Sequence, residues 1–361
     1  MAKPTYKILA LFLLFQLTIH CQMQQKTPEF HTQICHPNSK YEITPVFDYI
    51  KTLEKIPAGL PYGSSSGHWG DSGSMWTEQH GTPIGFEITY YSGYEDKYFF
   101  IDQDFDLAYI KEMTSRCYPA SDNRIQEPIK EFIYYKEFDA NIEKFRYDYE
   151  PFSDLIFGFA PKGMVVVWLG YSFHRIEIGR FQAKEITDEK RIAVCKKKYL
   201  DTYRVDESIY DEQRKKYLLP DASPLQWDNY RIRYNWNYKV TSDNKDFRFL
   251  EFDTEFFNGE VDSNYEAVLL NPEMKKRAIP EVMTLYWETS SGARYQSKLF
   301  FDWDKTNALL KKAGEKNTFH IHINEINSKV EIKLNGEEIE LDSIRIYPNS
   351  TMRYRNSYPD K

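Results

Sequence analysis

The chain has 361 residues and 43.0 kDa, room for two medium domains or one large one. Charged residues at 28%, hydrophobic ones at 41% and only 16 Gly and 17 Pro exclude a disordered, collagen-like or multi-span membrane protein. The net charge of −7 argues against a nucleic-acid partner, whose phosphates are held by clustered Lys and Arg.

Residues 1–20 read as a signal peptide: Lys3 and Lys7, then an apolar run from Ile8 to Phe15. That run is far shorter than the ~20 residues a membrane-spanning helix needs. No small-x-small cleavage site follows it, and Cys21 resembles the cysteine of a bacterial lipobox, which is diacylated and becomes the new N-terminus. Thr18 and His20 stand where that motif prefers Leu and a small residue. The expectation is a membrane anchor through Cys21, with plain secretion as the alternative. Residues 21–40 are polar and without periodicity, as a tether is. Of the remaining cysteines, Cys35, Cys117 and Cys195, an odd number gives no disulfide framework, and the lack of a CxxC spacing argues against a zinc or redox cluster.

Aromatic residues at 16% suit pleated, half-buried surfaces, so the fold class expected is mainly β (α+β). The chain also repeats itself. Residues 81–113 run Pro, strand, Ser-Gly turn, a strand carrying Phe99-Phe100, an Asp pair and a helical pattern; residues 277–313 give the same order with Phe300-Phe301. We therefore expect two tandem β-rich repeats, 41–182 and 226–350, each an antiparallel sheet with a packed helix, and a tail over 351–361. Met164 to Leu169 is continuously apolar and reads as a central strand covered on both faces. Val330, Ile332 and Leu334 alternate with polar residues, and Asn335-Gly336 is a hairpin turn signal. A charged helical connector, 183–225, joins the repeats, with Ile192, Cys195, Tyr199 and Tyr203 spaced for one face. A second helix is expected from Ile125 to Phe145. Lys196 to Lys198 are flanked by acidic residues and read as a solvated helix face.

The order of aromatic and Gly-Pro positions in GTPIGFEITYYSGYEDKYFFID (81–102), FGFAPKGMVVVW (157–168) and RAIPEVMTLYW (277–287) resembles the bacterial family of domain of unknown function 2931, over roughly residues 60–350. The resemblance implies an exported lipoprotein without agreed catalytic residues, and suggests an immunity role against a secreted antibacterial toxin.

The richest local candidate for chemistry is the Gly/Ser-rich loop 63–83, which carries His68, Asp71, Glu78 and His80 between Trp69 and Trp76. Its spacing fits no metal motif, and no metal or cofactor is expected. Ser64–Ser66 lack the strand-to-helix context of a nucleophile elbow. His320 and His322 share one strand face and read as its wet side. Asp102/Asp104 and Asp302/Asp304 precede helical patterns and read as caps. With no catalytic residue legible, the expected function is a non-enzymatic, membrane-anchored module that binds another protein. Tyr62, Trp69 and Trp76 would be exposed anchors, with His68, Asp71 and His80 beside them. The alternative is an envelope hydrolase or carbohydrate-active protein using the 63–83 loop.

Overall fold

A computed structural model describes residues 27–63, 67–73, 75–122, 127–289 and 292–352. Residues 1–20, Cys21, Ser64–Ser66 and most of the 351–361 tail lie outside them.

The first part of the chain supplies β1 (Glu29–Cys35), β2 (Ile43–Thr52), β3 (Trp76–His80), β4 (Pro83–Ser92), β5 (Lys97–Asp104), α1 (Leu107–Thr114), β6 (Arg116–Pro119), β7 (Ile133–Tyr134), α2 (Tyr135–Ala140), α3 (Ile142–Phe145), β8 (Tyr149–Pro151), β9 (Asp154–Ala160), β10 (Met164–Tyr171), β11 (His174–Gln182) and β12 (Lys184–Glu185). Three helices follow, α4 (Glu189–Tyr203), α5 (Glu207–Lys216) and α6 (Leu225–Tyr230). The second part supplies β13 (Tyr234–Ser242), β14 (Arg248–Phe256), β15 (Val261–Tyr265), α7 (Glu266–Leu270), β16 (Lys275–Arg277), β17 (Pro280–Glu288), β18 (Arg294–Phe300), α8 (Trp303–Ala313), β19 (Asn317–Ile323), β20 (Val330–Leu334), β21 (Glu337–Glu338) and β22 (Ser343–Pro348).

The protein is mainly β, and its two parts share one strand order. In the first, β3-β1-β9-β10-β11 faces β12-β5-β4-β2; in the second, β16-β13-β19-β20-β21 faces β22-β18-β17-β14. Even the parallel pairing recurs, β1 with β9 and β13 with β19. Each pair of sheets closes over its own aromatic core, one around Phe86, Phe157 and Val167, the other around Trp236, Phe252 and Trp287.

The register of the repeat differs from the one read off the Phe-Phe pairs. Counted from Pro83 and Pro280, Gly85 pairs with Asp104 and Val282 with Phe300, so Phe301 takes the place of Phe105. Both Phe105 and Phe301 donate their N–H to the residue after the proline, Ile84 and Glu281. The equivalents of Tyr90 and Phe99 are Trp287 and Tyr295, and both pairs stack at 5.4 Å. The caps move with the register. Asp106, not Asp102 or Asp104, accepts the first N–H groups of α1, and Asp302 does so for α8 while Asp304 sits inside its first turn. Asp102 and Asp104 instead flank Lys51, each at 2.6 Å.

Two other expectations change. Residues 29–35, read as tether, form β1, because Phe30, Thr32 and Ile34 alternate inwards between polar neighbours and bury in the first core. From Ile125 to Phe145 there is no long helix among the described residues: the short strand β7 interrupts it and only α2 and α3 are helical. The connector is helical as its spacing predicts. Ile192, Cys195 and Tyr199 lay α4 on the outer face of β4 and β5, against Tyr91, Tyr98 and Phe100.

Strand β10 is wholly buried, with Val165, Val167 and Leu169 in the first core and Val166 and Trp168 in a separate cluster on the other face. The sheet containing it continues into the second part: β11 meets β15 at Arg175 and Val261, giving one ten-stranded sheet that ends at β3.

Candidate functional site

The turn at 67–71 of the 63–83 loop is built into the fold at this seam. His68 and Asp71 close a tight turn by exchanging backbone hydrogen bonds of 2.8 and 2.9 Å. The turn carries Trp69 inwards, 9% exposed, edge-on to Trp168 at 5.1 Å and 6.3 Å from Trp227. Trp69 is therefore not the exposed anchor expected of it: its flanking glycines let the turn approach Gly259 of the second part, while Trp168 of β10 and Trp227 of α6 supply the core the loop itself lacks. Gly70, at φ +89°, donates its N–H to Cys35 Sγ at 3.2 Å, and a Cβ on it would lie 2.6 Å from Gly259 O. Burial pushes the Cys35 thiol up to about 12, so it is an inert apolar contact. Cys117 and Cys195 are likewise buried and free.

The remaining loop residues go to different places. Asp71 accepts from Gly73 N–H and lies 3.6 Å from Arg175. His68 is exposed. Tyr62, half exposed, donates its hydroxyl to Asp48. Trp76, Glu78 and His80 project from one face of β3; Trp76 is 53% exposed and leans on His31 at 4.4 Å, and His80 lies 3.7 Å from Glu78. Among the described residues no three His, Cys, Asp or Glu side chains form a group able to hold a metal ion. His320 and His322 are on the wet side of β19, the latter between Thr241 and Asp243 at 3.0 and 3.1 Å.

Below the loop, the seam opens into a cleft of about 340 Å³. Seven Arg and Lys side chains line it against three carboxylates, Glu131, Glu260 and Asp262. At its floor His174 is buried, stacked on Tyr118 at 4.8 Å. Its Nε2 accepts the Ser263 N–H at 3.3 Å and lies 3.5 Å from Asp262, while Nδ1 has no partner among the described residues. Burial works against charge on Asp262, yet the His174 ring and the charges of Lys275 and Arg277 outweigh it and hold the carboxyl well below the usual range. Arg277 is fixed by the carbonyls of Trp236 and Glu273 at 2.7 and 3.0 Å. Arg116 lies over the Phe132 ring at 4.0 Å and grips Glu112 at 2.9 Å. Sequence reasoning passed over this cleft because its residues come from six separate segments, none of them a motif. The pairing of β11 with β15, with Lys275 reaching Glu131 and Glu266 accepting the Ile129 N–H, brings them together.

Comparison with known families matches residues 20–220 to the family described as protein of unknown function DUF2931. The chain belongs to that family. The DUF2931 match covers the first sandwich and helices α4 and α5 and stops before α6, so the second sandwich is tied to it by strand order. No curated protein and no solved structure matches the chain.

Proposed function

We propose that this DUF2931 protein is a membrane-anchored envelope lipoprotein acting as a non-enzymatic protein-binding module, and that its partner attaches along β3. The observation that carries this reading is the position of β3. It is the last strand of the ten-stranded sheet, with one backbone edge unpaired among the described residues and Trp76 exposed upon it. Such an edge accepts an extended strand through main-chain hydrogen bonds, and an exposed tryptophan beside it supplies the anchor. The seam within this chain is itself a contact between strand edges.

The anchor rests on Lys3, Lys7, the apolar run and Cys21. Among the described residues no helix is long and apolar enough to cross a membrane. Toxin neutralisation is one form that partner binding would take. The hydrolase reading has less support, since Asp71 is engaged by Gly73 and Arg175 and His80 by Glu78.

A photoreactive benzoylphenylalanine in place of Trp76 tests the binding reading in intact cells. It should give a discrete protein adduct that the same group in place of the exposed Tyr217 does not give. No adduct at 76, or the same adducts at both positions, would overturn it.

A further inference from the structure

We propose that the seam cleft is a binding site for a carboxylate-bearing ligand, separate from the strand edge. Its volume of about 340 Å³ is at the lower end of small-ligand pockets, and it lies at the junction between the two parts of the chain, where such pockets concentrate.

Three of its polar groups are not used up by the fold. Arg233 meets Glu260 through Nη1 at 2.7 Å and has no other ion pair among the described residues, which leaves the remainder of a planar five-donor fork available. Lys276 is exposed and has no ion pair among the described residues. Asn264 is only 6% exposed, lines the cleft, and its amide has no hydrogen bond among the described residues. Together the guanidinium of Arg233 and the amide of Asn264 supply donors to one space, with Lys276 exposed at its rim.

The other five cations of the cleft are committed: Arg116 to Glu112, Lys130 to Glu137, Arg175 to Asp71, Lys275 to Glu131 and Arg277 to Asp262. These pairs fix the cleft walls and set the ligand class. An anion is favoured by the unspent donors, and a planar carboxylate, with one charge on each group, matches the flat guanidinium fork of Arg233 beside Glu260 better than a tetrahedral phosphate with two charges on one group. The carboxylate could belong to a free organic acid or to an acidic peptide.

Calorimetric titration of the full chain with succinate, with a hexaglutamate peptide and with inorganic phosphate tests this. Succinate should bind more tightly than phosphate, and Lys276→Gln and Asn264→Leu should each weaken it about tenfold. Lys312→Gln, an exposed lysine paired with Glu337 outside the cleft, should leave it unchanged. Peptide binding much tighter than succinate would identify a protein source, and comparable binding a free acid. No binding of either carboxylate, tighter binding of phosphate, or affinities indifferent to Lys276→Gln would overturn the proposal. If Asn264→Leu fails to fold, the exposed Lys276 still decides it.

Discussion

Replacing Trp69 by Ala separates a structural role for the 63–83 loop from a recognition role. The indole is nine-tenths buried, and Gly158 has been left without a side chain beneath it, since a Cβ there would come within 2.9 Å of the Trp69 ring. Truncation therefore opens a cavity bounded by Trp168 and Trp227, and large aromatic-to-Ala changes in cores cost about 3–5 kcal/mol. Trp69 Nε1 has no hydrogen-bond partner among the described residues, so no buried acceptor is orphaned, and the lower end, about 3 kcal/mol, is expected. Against a total stability on the order of 10 kcal/mol, that is a large shift of the urea midpoint. Trp76→Ala, at an exposed site, should change stability by less than about 0.5 kcal/mol. A Trp69→Ala variant as stable as wild type would refute the seam role of the loop.

The other expectations concern the seam, acid stability and location. Gly70→Ala should destabilise by more than 1 kcal/mol or so, because it combines a left-handed φ with a backbone clash at Gly259, and thermal melting reads it directly. Burial lowers the His36 imidazole from 6.5 to about 4, so between those values the unfolded chain takes up the proton first and stability falls as pH drops from 6.5 to 4, by about 3 kcal/mol in all. His36→Gln, which keeps an acceptor for the Ile43 N–H, should flatten that slope in denaturation curves taken across the window. Cys21→Ala should move the protein from the membrane to the soluble envelope fraction and remove fatty-acid label, since two or more acyl chains hold a protein persistently and none holds it at all.

The duplication was legible because strand hairpins leave local marks: a proline, alternating aromatics, a turn glycine, a capping Asp. Its register was not, because Phe99-Phe100 and Phe300-Phe301 look alike in one dimension while ladder pairing places Phe301 on Phe105. Strand β1 was hidden since His31 and Gln33 on its outer face give the segment a polar average. The loop was misjudged for a related reason. Gly and Ser neighbours around Trp69 say that no local core exists, but they also permit close approach to a distant one, here the turn at Gly259 and the ring of Trp168. The cleft depends on β11 meeting β15, a contact between residues more than 80 positions apart that no local pattern announces.

Partner attachment along β3 is tested most directly by amide hydrogen exchange across Trp76–His80, with and without the protein captured at position 76. The account predicts that the amides of β3 not paired with β1 exchange quickly in the free protein and become protected on binding, while those of β10, buried in the sheet centre, do not change. Protection that appears elsewhere and leaves Trp76–His80 unaltered would contradict it.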